Sequence, residues 1–204
     1  MVKISAVIPA FNEENRIESV LKKTQGFVDE IIVIDDASTD NTAMVAKGYA
    51  RVLRNKKNMG YIYCIKKGFK AARNEIIVTL DADGEHDPSD IPRLVKPLVE
   101  KQGDLVLGIR ENIPRVSERF ICWVTNFKVK TKDCGTGFRA IRKNLAVKLS
   151  LCGKCTCGIF VLETFYYNAR VVDVTIKIRK TNKKRKIAYE HFIQIFYIIR
   201  FFFN

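Results

Sequence analysis

The chain has 204 residues, 47% of them hydrophobic, and a formal net charge of +14. That length supports one well-buried core and excludes two ordinary domains with separate cores. Residues 1–109 carry 16 basic and 16 acidic side chains and residues 110–204 carry 20 and 6, so the whole excess lies in the second half and predicts an anionic partner there.

Ile4 to Ile8 reads as a strand closed by Pro9, entered without the basic, apolar and small-residue pattern of a signal peptide. Asn12 stands as an N-cap, with Ile17, Val20 and Leu21 at helical spacing behind it. Ile31 to Ile34 is a second buried strand, and the polar turn Asp35 to Asp40 leads into a helix over Thr42 to Tyr49. Val52-Leu53 is a short third strand, residues 60–73 a helix, and Ile76 to Leu80 a fourth strand ending on Asp81. After Pro88, the residues Ile91, Leu94, Val95, Leu98 and Val99 form one helical face, and Leu105 to Leu107 is a fifth strand.

Continuous β-branched runs alternating with amphipathic helices predict an α/β fold, a Rossmann-like, mostly parallel sheet covered on both faces. Ligands of such sheets sit beyond the carboxyl ends of the strands. Those ends carry Pro9 to Glu13, Asp35-Asp36 and Asp81-Ala82-Asp83, so the polar chemistry converges on one edge. Asp81 and Asp83 lie two apart at the end of a buried strand, where extended backbone sends both carboxylates to one side. A hard divalent cation with oxygen ligands relieves their repulsion.

Cysteines 64, 122, 134, 152, 155 and 157, in a chain without an export signal, read as reduced cytosolic thiols. The cluster Cys152, Cys155, Cys157 hints at zinc, but a tetrahedral site needs four ligands and no second Cys or His pair lies nearby in sequence. His86 reads as a loop-packing residue and His191 as an interfacial residue of the aromatic tail. Trp123 is equally suited to the core and to an acceptor groove.

The segments Val7 to Glu14, Ile32 to Asp40, and Leu80 to Asp83 with His86-Asp87-Pro88 resemble the family-2 inverting glycosyltransferases of GT-A fold. Within that family they are most similar to the dolichyl- or polyprenyl-phosphate mannosyltransferase group, and Asp104 to Arg110 and Asp133 to Arg139 extend the likeness over most of residues 3–180. The resemblance implies a single catalytic domain over residues 1–180, with a nucleotide-sugar half (1–109) and an acceptor half (110–180), followed by a basic, apolar tail over 181–204. It implies that Pro9, Phe11, Glu13, Ile34 and Asp36 line the nucleotide pocket, and that Asp81, Ala82 and Asp83 hold the donor diphosphate through Mg²⁺ or Mn²⁺. Glu85, where relatives commonly place Gln, is a further metal ligand. Arg110 and Arg139 face the phosphates as catalytic residues with Asp83, and Arg179 contributes to donor binding. The implied reaction moves a hexose, mannose from GDP-mannose ahead of glucose from UDP-glucose, onto a polyprenyl phosphate.

A sugar-1-phosphate nucleotidyltransferase should instead show a Gly-rich basic loop after the first strand, where this chain has the acidic Pro-Ala-Phe-Asn-Glu-Glu. Gly-x-Gly-x-x-Gly and Gly-x4-Gly-Lys-Ser/Thr patterns are missing. A purely basic binding module finds no nucleic-acid motif, and no nucleic-acid partner is expected. The tail, residues 187–204, is interrupted by Glu190, His191, Gln194 and Arg200 and falls short of the roughly 20 apolar residues of a spanning helix. It reads as an interfacial helix, with Tyr189, Phe192, Phe196 and Phe201 to Phe203 at the headgroup boundary and Lys183 to Lys186 on an anionic surface. The alternative is that it packs on the sheet or on a second subunit. The expected location is therefore cytoplasmic and peripheral to a membrane, with a membrane-anchoring partner subunit as a further candidate partner.

Overall fold

A computed structural model describes residues 2–113, 115–179 and 188–203, with side chains in the last segment from residue 190 onward. The Lys183 to Lys186 run lies outside the described residues. Seven strands form one sheet: β1 (Ile4–Ala10), β2 (Glu30–Asp35), β3 (Arg51–Arg54), β4 (Ile76–Thr79), β5 (Leu105–Arg110), β6 (Arg139–Arg142) and β7 (Val171–Ile176). Their spatial order is β3-β2-β1-β4-β6-β5-β7. Of these seven, only β6 runs antiparallel, against β4 on one side and β5 on the other. The sheet is thus mostly parallel, as the sequence predicts, with one reversed strand inserted between the two halves.

Helices cover both faces: α1 (Glu14–Thr24), α2 (Thr42–Lys47), α3 (Tyr61–Ala71), α4 (Ile91–Val99), α5 (Val116–Thr125), α6 (Lys143–Ala146), α7 (Ile159–Tyr166) and α8 (Ala188–Phe203). Because successive strand side chains point to opposite faces, each strand feeds two cores. Ala6, Ile8, Val33, Ile76, Val78 and Val106 pack with α1 and α4, whereas Val7, Ile32, Ile34, Ile77, Leu105 and Leu107 pack with α3 and α7. Strands buried this way cannot slip by one residue without exchanging their faces.

Two details depart from expectation. Pro9 falls inside β1, opposite Ile34, but the β4 ladder ends at Val7 opposite Thr79, so the missing N–H costs no bond on that side. The tail helix α8 packs through one face: His191, Gln194 and Ile198 are buried against α5 and α7. Its other face presents Phe192, Phe196, Ile199 and Phe203 to the exterior, so the tail packs on the domain through one face and leaves an apolar face exposed. No helix among the described residues is long and apolar enough to cross a membrane.

Candidate functional site

The carboxyl ends of β1, β2 and β4 open onto a cleft of about 590 Å³, a size ordinary for a small-molecule site. One wall is built by the first two strand-end loops, which are riveted to each other. Asn12 takes a left-handed conformation (φ 54°) that Asn tolerates better than most residues. Its N–H donates to Ser38 Oγ (3.0 Å), and its Oδ1 accepts the N–H of Thr39 (2.9 Å). The N–H of Glu13 donates to Thr42 Oγ1 at 2.7 Å. Pro9, Phe11, Glu13 and Asp36 all line the cleft, with Phe11 44% exposed at its mouth. Ile34 does not: it is fully buried beneath the wall and supports it by packing.

Asp36 is committed to shaping the pocket. Its Oδ1 accepts the N–H of Met59 (2.8 Å) and Asn55 Nδ2 (2.7 Å), and its Oδ2 accepts the N–H of Gly60 (2.8 Å). These bonds hold the loop before α3 against the end of β2, and bring Asn58, Gly60, Tyr61 and Cys64 into the lining. Sequence reasoning missed those four.

The floor is the acidic edge. β4 ends at Thr79, and Ala82-Asp83 form a turn, yet Asp81, Ala82, Asp83 and Glu85 all reach the cleft. Asp83 Oδ1 accepts the N–H of Glu85 at 3.1 Å, which braces the turn. The β6 side approaches closely: Thr79 Oγ1 donates to the carbonyl of Gly137 at 2.8 Å. A Cβ on Gly137 would lie 2.8 Å from Asp81 Oδ2, so only glycine lets the backbone pass under that carboxylate. His86 accepts the N–H of Asp81 at Nδ1 (3.3 Å) and packs tilted on Phe138, with ring centroids 5.1 Å apart. It therefore packs in the loop, as its sequence position suggests. Asp81, Asp83 and Glu85 give an all-oxygen, anionic donor set, the chemistry that suits Mg²⁺ or Mn²⁺.

The three arginines have three fates. Arg110, at the end of β5, lines the cleft and is held by Asp133 through Nε (2.6 Å) and Nη2 (2.9 Å), with Glu118 accepting from Nη2 at 2.9 Å. Burial alone would lower its pKa, but the Asp133 and Glu118 carboxylates raise it above the ordinary value. Arg139 corrects an expectation. It is fully buried beyond the cleft, its guanidinium 4.4 Å from the Phe160 ring centroid and its Nη2 donating to Thr156 Oγ1 at 3.0 Å. The reason is strand alternation: Arg139 shares the face of Ile141, which α7 covers. Arg179 does not line the cleft: it pairs with Asp87 in a small adjoining hollow that shares Asp83 and His86 with the cleft, and its N–H donates to the Glu85 carbonyl at 2.9 Å.

The far wall comes from segments distant in sequence: Glu118 of α5, Lys154 to Cys157, and Glu190 and His191 of α8. None of these residues carries a local motif. His191 is buried, its Nδ1 2.8 Å from Ser117 Oγ and its Nε2 3.6 Å from Cys157 Sγ, so it is not the interfacial residue the sequence suggested. Outside this wall, Val116, Phe120 and Trp123 on α5 and Phe127 just beyond its end are exposed, and the three rings meet in series with centroids 5.8 and 5.0 Å apart. Trp123, 59% exposed, belongs to the surface and not the core.

Comparison with known proteins bears on this arrangement. The pattern described as Glycosyl transferase family 2 matches residues 5–149. The chain is 27% identical to the dolichol-phosphate mannosyltransferase of Pyrococcus furiosus over 98% of its own length and 64% of that protein. It is 28% identical to the dodecaprenyl-phosphate galacturonate synthase of Rhizobium johnstonii, over 75% of this chain and 52% of that one. The chain thus spans about half to two thirds of these relatives. Among solved structures it shares its fold with Mycobacterium tuberculosis glucosyl-3-phosphoglycerate synthase in complex with Mn²⁺ and UDP-glucose, with a TM-score of 0.78, 22% identity, and coverage of 97% and 78%.

Proposed function

This chain belongs to glycosyl transferase family 2, and on that footing we propose that it moves a hexosyl group from a nucleoside diphosphate sugar to the phosphate of a polyprenyl lipid at a membrane surface. One observation carries the reading. The cleft that begins at the Asp81-Asp83 floor ends against α5 and α8, the two helices whose outer sides expose Phe120, Trp123, Phe192 and Phe196. An exposed apolar face of this kind marks an interaction site. An acceptor with a charged head and an apolar tail fits a polar cleft bordered by aromatic helices, with the tail lying along rings suited to the headgroup boundary.

The donor base would lie between Phe11 and the loop held by Asp36. Asp81, Asp83 and Glu85 would hold a divalent cation, which neutralises charge on the departing diphosphate. A phosphate oxygen of the acceptor attacks the anomeric carbon from the face opposite the diphosphate. The new carbon–oxygen bond forms as the old one breaks, and the nucleoside diphosphate leaves with the bonding electrons. The acceptor needs no dedicated base, since a phosphate monoester has a second pKa near ~6 and is largely ionised at neutral pH. The protein's work is then positioning and charge compensation.

Arg110 supplies a cation to the cleft, but Asp133 and Glu118 already balance it. Lys154, exposed on the far wall, is the second cation we assign to a phosphate. The sugar we assign is mannose from GDP-mannose, supported by the mannosyltransferase relative. A UDP-sugar is the second reading, supported by the structural neighbour that was solved with UDP-glucose.

The test is a panel of sugar nucleotides assayed with Mg²⁺ or Mn²⁺, with and without polyprenyl phosphate in acidic liposomes. The expected result is transfer only when the lipid phosphate is present, with inversion at the anomeric carbon. Equal turnover with water or a soluble acceptor would reject the lipid acceptor. The double variant Phe192→Ser, Phe196→Ser should leave acidic liposomes in a flotation assay while keeping nucleotide-sugar affinity. Unchanged flotation would reject α8 as a membrane contact.

A further inference from the structure

The far wall holds a constellation unlike the acidic floor. Cys155, Cys157 and His191 each bring a ligand atom to within 4.8 Å of the other two. Cys157 and His191 are buried, Cys155 is partly exposed, and all three line the cleft. We propose that Cys155, Cys157 and His191 form a zinc site on the acceptor wall, separate from the carboxylate floor, with its fourth position open to the cleft.

Three features of the geometry carry this. Tetrahedral coordination with Zn–S near ~2.3 Å and Zn–N near ~2.05 Å puts ligand atoms about 3.6 Å apart, and Cys157 Sγ and His191 Nε2 are 3.6 Å apart. The imidazole is oriented as a ligand would be, because Nδ1 sits 2.8 Å from Ser117 Oγ, so a proton on Nδ1 is held there and Nε2 is left to face the thiols. The loop that carries the two thiols is fixed as well. Gln194 Oε1 accepts the N–H groups of Lys154 (2.9 Å) and Cys155 (3.2 Å), and Gly153, at φ +121°, has no room for a Cβ beside Gln194.

Both cysteines would bind as thiolates, so metal binding would release their protons. Two thiolates balance the dipositive ion, so the site buries no net charge. The donor set is soft, which separates it from the oxygen set at Asp81 and Asp83. A site with three protein ligands and one open position completes its shell with water or with an oxygen of a bound molecule. Its consequence is mechanical: one ion would cross-link α8 to the loop between α6 and α7, closing the acceptor side of the cleft.

The test uses the full chain with zinc alone and then with Co²⁺ in its place. We expect one zinc per chain after dialysis, a thiolate-to-cobalt charge-transfer band with the intense visible bands of a tetrahedral ion, and a higher melting temperature with zinc. Asp83→Asn should keep the band, whereas Cys157→Ser and His191→Gln should each lower zinc affinity at least tenfold. If those two fail to fold, Cys155→Ser, at the partly exposed ligand, carries the same expectation. A cobalt spectrum without the thiolate band, or zinc content unchanged in the variants, overturns the site. So does a Cys155–Cys157 disulfide that forms in air despite saturating zinc.

Discussion

The two walls of the cleft are built by different means. Residues 1–109 supply one wall and the acidic floor from short loops that directly follow parallel strands, braced by bonds such as those from Thr39 to Asn12 and from Gly60 to Asp36. Residues 110–203 supply a far wall of mixed charge, Arg110 and Lys154 beside Glu118 and Glu190, assembled from α5, the segment Lys154 to Cys157 and α8, which are far apart in the chain. The first wall is where a sheet of this kind offers polar chemistry. The second follows no such rule of topology.

The largest expected effect lies on the first wall. Asp83→Asn keeps the oxygen that braces Glu85 but removes a charge, so transfer should fall at least about a thousandfold, on the order of 4 kcal/mol of barrier, while the melting temperature holds or rises. Single-turnover assays check this, and a rate above about a tenth of wild type, within ~1.4 kcal/mol, would remove Asp83 from the chemistry.

The second test sets two arginines against each other. Arg110→Ala leaves Asp133 buried without its cation, while Glu118 keeps Arg115, and should cost about 3–5 kcal/mol of stability. Arg139→Met replaces a buried guanidinium that meets a ring and a hydroxyl, and should leave stability equal or raise it by about 1–4 kcal/mol, with transfer within tenfold of wild type. Urea titrations of both variants decide it. A large loss of transfer in folded Arg139→Met would return that residue to the site.

The smallest effect is at the edge of the sheet away from the cleft. Asp104, at the foot of β5, would have its pKa raised by burial, but the N–H and guanidinium of Arg170 and the charge of Arg142 hold it below the usual carboxylate range. A depressed folded pKa gives stability present above the unfolded value near ~3.9 and lost as pH falls through the folded one. Asp104→Asn should therefore cost less than about 1 kcal/mol at pH 7. The gap to wild type should close as the pH falls below the ordinary carboxylate range, which urea midpoints at stepped pH would show.

The same contrast explains what could be read in advance. β1, β2, β4 and β5 were legible because each is a continuous apolar run, and the acidic floor because its residues are neighbours in sequence. β6, Arg-Ala-Ile-Arg, holds only two apolar residues between arginines and gives little strand signal, whereas β7, Val-Val-Asp-Val-Thr-Ile, is β-branched enough to read as a strand and only its place beside β5 needed the structure. The inward turn of Arg139 depends on the register of β6 against β4, which sequence does not carry. His191 meets Cys157 across 34 positions, beyond the reach of any spacing rule. Truncation at Lys186, attractive for a free tail, would strip α5 and α7 of the packing from His191, Gln194 and Ile198.

The insertion of β6 beside β4 also has a consequence for biogenesis. β4 pairs with β1 as soon as residue 79 is made, but its other edge waits for residues 139–142. Synthesis at about 5–20 residues per second leaves that edge open for on the order of 3 to 12 seconds. During that interval Ile76 to Thr79 presents an unpaired apolar strand, the kind of template on which nascent chains pair with one another. Asp81 also has no backbone beneath it until Gly137 arrives, so the acidic floor is complete only when about two thirds of the chain has been made. A chain stalled or cleaved before residue 133 would expose its most aggregation-prone edge and lack its working one.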